Sequence, residues 1–185
     1  MKLPVCRKRR LRGWIEKLYI TCMFAQKKSV YIETTIPSFA TAKTSRDAII
    51  AGHQAATILF WENERQKYEL YVSQYVIEEC KLGDTEATDR RLTFLKGISV
   101  LPKISEVERL GEVYQQILDI PERAKTDCFH LSCCVLAEID YLLSWNCAHL
   151  GIGAYSKVKD YNQTVNLHTP ILLTPEALME IEGSL

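Results

Sequence analysis

Four side chains stand where apolar runs give way to polar text, and their types could do chemistry together. Glu33 closes the apolar run of "VYIETTIPSF", Val30 to Phe39, and is followed by the hydroxyls Thr34 and Thr35. The adjacent Glu78 and Glu79 come soon after the run "YELYVS". Asp127 lies near the start of "KTDCFHLSCCVLAE", and Asn146 follows "LLSW" two residues after Ser144. Oxygen donors of this kind suit a hard divalent cation such as Mg2+, which takes a few carboxylates and keeps several waters. Carboxylates crowded without a cation repel one another until one takes up a proton. A metal held there could activate water and stabilise charge on a phosphodiester.

The elements that must position these groups alternate between strand and helix. The first strand ends at Glu33, with Pro37 expected to stop the extended chain. Ser45 or Asp47 can cap a helix through "AIIAGHQAATILFWENERQ". Its apolar positions 49, 50, 57, 58, 59 and 60 are expected to form one broad stripe. "YELYVS" reads as a second strand and "QYVIEECKLG" as a short helix ended by Gly83. A helix capped by Asp84 runs to Gly97, and "ISVLP" is a third strand. "SEVERLGEVYQQILDI" is amphipathic, with Val107, Leu110, Val113, Tyr114 and Ile117 on one side. A further helix is expected to begin at Pro121. "DYLLSWN" and "PILLT" are the fourth and fifth strands, and a last helix starts at Pro175, a favoured first-turn residue. This alternation implies one α/β domain with a parallel sheet covered on both faces. In such a sheet ligands gather outside the carboxyl ends of the strands, which is where Glu33, one of Glu78 and Glu79, Asp127 and Asn146 would meet.

Each candidate also has a plainer reading. A glutamate after a strand is often a solvated loop acid. Glu78 and Glu79, being adjacent on a helix, face different directions, so one of them reaches the cleft. Asp127 can complement a helix dipole, and Asn146 suits a turn. His130 and His149 are expected to pack or hydrogen-bond, and Trp61 and Trp145 to fill the core.

Composition sets the class. The 185 residues are 47% hydrophobic and 25% charged, with zero net charge, as in an ordinary globular protein. No apolar run approaches the ~18 residues needed to cross a bilayer. The seven cysteines include no C-x-x-C pair. They read as reduced thiols in a cytoplasmic protein, and no Cys/His pair has zinc-ligand spacing. The charge is uneven: residues 1–30 carry nine Lys or Arg and the single acid Glu16. Residues 1–28 are therefore expected to be a basic extension, poorly ordered or the result of a start set too early, with Met23 a natural beginning. An arm of this kind could touch nucleic acid phosphates. "LYITCMFA" is short and lacks an A-x-A end, which argues against a secretory signal. No G-x-x-x-x-G-K-[ST] or G-x-G-x-x-G occurs, and "ETT" lacks the aspartyl nucleophile of a haloacid-type phosphatase.

Four motifs in this order resemble the PIN-domain family, and in particular its VapC-like toxins and stand-alone PIN proteins. "VYIETTIPSF" is similar to the first PIN strand, which normally ends in Asp-Thr/Ser-Asn. "SQYVIEEC" is similar to the Ser-x-x-x-x-x-Glu segment, a spacing that selects Glu79 over Glu78. "KTDCFHLSCCVLAEIDYLLSWN" resembles the third-acid helix leading into the fourth strand, with Asp127 as the acid. "LLSWNCAHL" resembles the strand-end Thr/Ser-x-Asp/Asn and places Ser144 and Asn146. The resemblance covers about residues 29–180, and residues 29–185 would form the domain.

The resemblance implies a Rossmann-like sheet of five parallel strands flanked by helices, and metal-dependent cleavage of RNA. Glu33, Glu79, Asp127 and Asn146 would surround Mg2+ or Mn2+, with Thr34, Thr35 and Ser144 orienting water or the acids. It also implies a homodimer and, for a type II toxin, a small antitoxin protein across the cleft. The alternative within the family is a weak or inactive module that binds RNA or a partner protein. Two positions depart from the pattern. Glu33 is one methylene longer than the usual Asp, and Asn146 is neutral, so one ion is expected rather than two. Any RNA contacts must be local, with Lys43, Arg46, Arg90 and Arg91 as candidates.

Overall fold

The computed structural model describes residues 27–146 and 152–183. Within them five strands form one parallel sheet: β1 (Ser29–Ile32), β2 (Glu69–Ser73), β3 (Ser99–Leu101), β4 (Tyr141–Leu143) and β5 (Ile171–Leu173). Eight α-helices accompany it: α1 (Thr35–Thr41), α2 (Ala48–Asn63), α3 (Gln74–Cys80), α4 (Thr85–Phe94), α5 (Ser105–Leu118), α6 (Lys125–Leu136), α7 (Ile152–Thr164) and α8 (Pro175–Gly183). The strand order is β3-β2-β1-β4-β5. This is the α/β, five-stranded parallel architecture expected from the alternation of apolar runs.

β1 is the central strand, paired with β2 on one side and β4 on the other. Both of its faces are covered, which is why Val30, Tyr31 and Ile32 are fully buried and the run shows no polar alternation. The outer strands are less protected, with Val100 and Ile171 about half exposed. α5 and α6 pack closely over one face, and Gly111 permits the approach. A Cβ there would lie 2.4 Å from Phe129 Cδ1.

The expected caps are present. Asp47 accepts from the Ile49 and Ile50 amides, and Asp84 accepts from the Ala87 amide. Gly83 takes a φ of 94°, which a β-carbon disfavours, and turns the chain between α3 and α4. Cys80, Cys128, Cys133 and Cys134 are buried free thiols. Burial pushes Cys80 to about 11 and Cys128 to about 12, so neither is a ready thiolate. Cys6, Cys22, Cys147 and His149 lie outside the described residues, as does the basic extension up to residue 26. Among the described residues no helix is long and apolar enough to cross a membrane.

Several expectations need correction. Pro37 does not stop the strand. β1 ends at Ile32, and Pro37 lies in the first turn of α1, where a missing N–H costs nothing because first-turn donors have no helical partner. The stripe on α2 is not one face. Thr57 and Phe60 turn inward, whereas Ile49, Ile50, Ile58 and Leu59 are 40–71% exposed. Consecutive residues 57–60 sweep most of a helical turn and cannot share a side. Gln54 takes an inward position instead, accepting from the Ser45 amide and donating to the Lys43 carbonyl. Trp61 and Trp145 are half-buried: Trp61 stacks on Phe94 and Trp145 on His53. Pro121 precedes a short 3-10 turn, Glu122–Ala124, and the α-helix proper begins at Lys125. Helix α7 was not expected. Its sequence is polar, and Val158 and Asn162 are its buried contacts.

One side chain fixes β1 against β4. Asp140 Oδ2 accepts from the Ser29 amide and hydroxyl, both at 2.9 Å, and Oδ1 accepts from Lys28 Nζ at 2.6 Å. Burial opposes its charge, but these donors and the Lys28 ammonium outweigh it and hold the carboxyl below its ordinary value of 3.8. A depressed acid stabilises the fold above its unfolded value, and the effect is lost as pH falls through the folded one. Asp140→Ala is therefore expected to cost about 2 kcal/mol at neutral pH, a typical figure for charge-assisted bonds. Urea denaturation across a pH series checks this: the gap to the wild type should narrow as pH falls below 3.8.

Candidate metal centre

The strand order reverses direction at β1 and β4, so the crevice of this sheet opens outside the carboxyl ends of those two strands. Glu33 stands there. Its amide donates to the Leu143 carbonyl at 3.1 Å, extending the β1–β4 ladder by one residue. Its side chain is 7% exposed and turns back on the start of α1. Oε2 accepts three bonds: from the Thr35 amide at 3.0 Å, from the Thr35 hydroxyl at 2.5 Å and from the Ser144 hydroxyl at 2.8 Å. The carboxylate thus satisfies a first-turn donor of α1 that Thr34, the residue before the helix, leaves uncapped. Thr35 Oγ1 accepts in turn from the Trp145 amide at 2.9 Å. All the side-chain bonds that the described residues make to Glu33 fall on Oε2.

α3 brings the second acid. Glu78 turns outward to Lys103, 3.1 Å away, and Glu79 turns inward. Glu79 Oε2 accepts from the Thr34 hydroxyl in a very short bond and from His130 Nε2 at 2.9 Å. The other ring nitrogen of His130 meets the Tyr31 hydroxyl at 2.7 Å, and that hydroxyl lies 2.6 Å from Ser73 Oγ. One ligand atom each from Glu33, Glu79 and His130 fall within 4.8 Å of one another. Burial would raise Glu79, but the bond and charge of His130, with the Thr34 hydroxyl, hold it below the ordinary carboxylate range. Burial likewise opposes a charge on His130, but Glu79 wins, helped by Glu33 and Asp127, and raises it above its ordinary value. The two directions agree, since each group favours the charged form of the other.

Asp127 stands outside that 4.8 Å group and pairs with Asn146. Asn146 Nδ2 donates to both Asp127 oxygens, at 3.0 and 3.1 Å. Ser144 links the two halves, since its hydroxyl donates to Glu33 and accepts from the Asn146 amide at 2.9 Å. A single hydrogen-bonded array therefore joins Glu33, Thr35, Ser144, Asn146 and Asp127, beside a second that joins Thr34, Glu79, His130, Tyr31 and Ser73.

The donor set fits a hard cation. Two carboxylates converge, each bonded by the described residues through one oxygen only, and Asp127 with its partner Asn146 completes the set of oxygen-bearing side chains. Both ring nitrogens of His130 are already engaged, so it could ligate only by giving up Glu79. Of the basic candidates, Lys43 and Arg46 are exposed. Arg91 is spent on the Cys80 and Leu82 carbonyls at the end of α3. Arg90 holds the Thr41 carbonyl and Glu86. A cavity of about 810 Å3, lined by Lys27, Arg65, Tyr71 and Lys96 among others, lies at the opposite, amino edge of β2, away from the acids. The participation of Tyr31 was not anticipated, and Ser73 entered only as the first residue of the Ser-x-x-x-x-x-Glu segment. The available signal was parity, because residues 31 and 33 of a strand share a face.

No family model matches the chain, and no curated protein matches it. Among solved structures, a chain of the crystal structure of VapBC2 from Rickettsia felis bound to a DNA fragment from their promoter aligns with 79% of this chain and 98% of its own length. The identity is 14% and the TM-score 0.49, a level of likeness that carries no argument about function.

Ser144→Ala removes the donor to Glu33 and the acceptor of the Asn146 amide. Its expected cost is about 1–3 kcal/mol, the range for a lost buried partner, to be read as a lowered denaturant midpoint with unchanged slope.

Proposed function

We propose that this chain is a divalent-metal-dependent ribonuclease that hydrolyses RNA phosphodiester bonds, with Glu33, Glu79, Asp127 and Asn146 around one Mg2+ or Mn2+. The observation that carries the reading is the meeting of Glu33 and Glu79 at the carboxyl edge, where the described residues bond each of them through one oxygen only. The four PIN-like motifs supply the substrate class. A metal bound there would lower the pKa of a bound water and stabilise charge on the phosphate.

The chain's own groups have distinct tasks in this reading. Glu33 and Glu79 provide negative charge from two elements. Thr35 and Ser144 hold Glu33 in one orientation, and Thr34 does the same for Glu79. Asn146 brings no charge and holds Asp127 by both oxygens, so three acids serve one ion. Lys43 and Arg46, exposed and free of side-chain bonds to the described residues, suit the RNA phosphates better than Arg90 and Arg91 do. The resemblance adds a toxin role, with an antitoxin and a homodimer as partners. The exposed apolar side of α2 is compatible with a protein partner. The second reading, an inactive module that binds RNA or protein, is favoured by one observation: the fourth position is an amide engaged with Asp127.

Cleavage of a labelled RNA by purified protein separates the two. Cleavage is expected with Mg2+ or Mn2+, to vanish with chelator, and to be abolished by Asp127→Asn and by Glu33→Gln. Cleavage that survives Asp127→Asn with the same metal dependence would overturn the assignment. RNA binding without cleavage at any metal concentration would favour the module. Light scattering tests the dimer, for which twice the chain mass is expected.

A further inference from the structure

The geometry points to Tyr31 and His130 as positioning residues: with Ser73 they form a buried relay that fixes one oxygen of Glu79 and so holds the carboxylate beside Glu33 for the metal. The inference rests on the metal-centre reading above and goes beyond it, because neither residue belongs to the four-residue set.

Burial supplies the first argument. Tyr31, Ser73 and His130 are 0%, 0% and 1% exposed. Phenylalanine and leucine would fill positions 31 and 130 with no polar atom to satisfy, whereas buried polar groups cost free energy unless every one is paired. Here every one is paired: Ser73 with Tyr31, Tyr31 with His130 at 2.7 Å, and His130 with Glu79 at 2.9 Å. The chain of bonds ends on Glu79, the one member that reaches the cleft and is partly exposed, at 30%.

Direction supplies the second. An ionised carboxylate only accepts, so His130 Nε2 carries a proton toward Glu79 whether the ring is neutral or charged. In either case Tyr31 completes the bonding of Nδ1, donating to it or accepting from it, and Ser73 takes the remaining role. The aim of Nε2 is therefore independent of the state of the ring.

Topology supplies the third. Tyr31 lies on β1 two residues before Glu33, and His130 lies on α6 one turn after Asp127. Ser73 caps α3 by accepting from the Val76 amide at 3.4 Å, and Glu79 is in the last turn of the same helix. The relay thus ties both ends of α3 to the two elements that carry the other acids. Glu33 repels Glu79 across the cleft, and a glutamate at the end of a seven-residue helix has rotamers that swing away from it. His130 and Thr34 oppose that swing by holding the same oxygen. Groups that orient metal ligands in this manner typically contribute 10–100-fold to affinity.

The test is Mn2+ affinity by calorimetry on the full chain, for the wild type, Tyr31→Phe, His130→Leu and His130→Gln. Each is read well below its own melting temperature. Tyr31→Phe removes one atom and keeps the packed ring, so it is the mildest of the three changes to the packing. Tyr31→Phe and His130→Leu are expected to weaken Mn2+ by about tenfold or more. His130→Gln, which keeps an N–H for Glu79, should recover much of the loss. Wild-type affinity in both Tyr31→Phe and His130→Leu overturns the relay. Loss in His130→Gln equal to that in His130→Leu, with Tyr31→Phe unaffected, makes His130 a ligand and also overturns it. A wild type that does not bind Mn2+ overturns the metal-centre reading itself, and the relay with it.

Discussion

Two carboxylates held close together at a nearly closed sheet edge repel each other, and most of the local structure answers that repulsion. Glu33 is met by three donors on one oxygen, and Glu79 by a hydroxyl and an imidazole. The donors come from the start of α1, from the loop after β4 and from α6. Remove the acids and this concentration of hydroxyls and amides has no purpose. Among the described residues, the hydrogen bonds to each acid fall on one oxygen only.

The strand order decides where such a pair can exist. β1 lies between β2 and β4, so its carboxyl end faces two crossovers that leave in opposite directions. The gap between them admits side chains from α1, α3, α6 and the β4 loop. A strand at the edge of the sheet would have had neighbours on one side only. Central position also explains why so short a strand suffices: four residues covered on both faces bury Val30, Tyr31 and Ile32 completely.

Much of this was legible in the residues themselves. Apolar runs of four to six residues between polar text marked all five strands, and Asp47 and Asp84 marked two helix starts, because those signals are local. Glu33 was legible because an acid at the end of a buried run is out of place. α1 was not, since Pro37 reads as a breaker until the helix start is known to lie two residues before it. α2 misled because its apolar residues outnumber the positions that face inward, and Gln54 displaces one of them for the sake of two backbone bonds. α7 escaped for the opposite reason, being mostly polar. The partnership of Tyr31 with Ser73, 42 residues away, and with His130, 99 residues away, leaves no mark in any window of sequence. It exists only after α3 and α6 have docked on β1.

The Asp140 clamp joins residues 111 positions apart. Closing so long a loop carries an entropic cost that must be met before the contacts it permits are gained. Since Ser144 lies 111 residues after Glu33, the cleft cannot assemble while β4 is still inside a ribosome. A growing polypeptide of this sequence is therefore without its cleft until β4 has emerged and paired with β1.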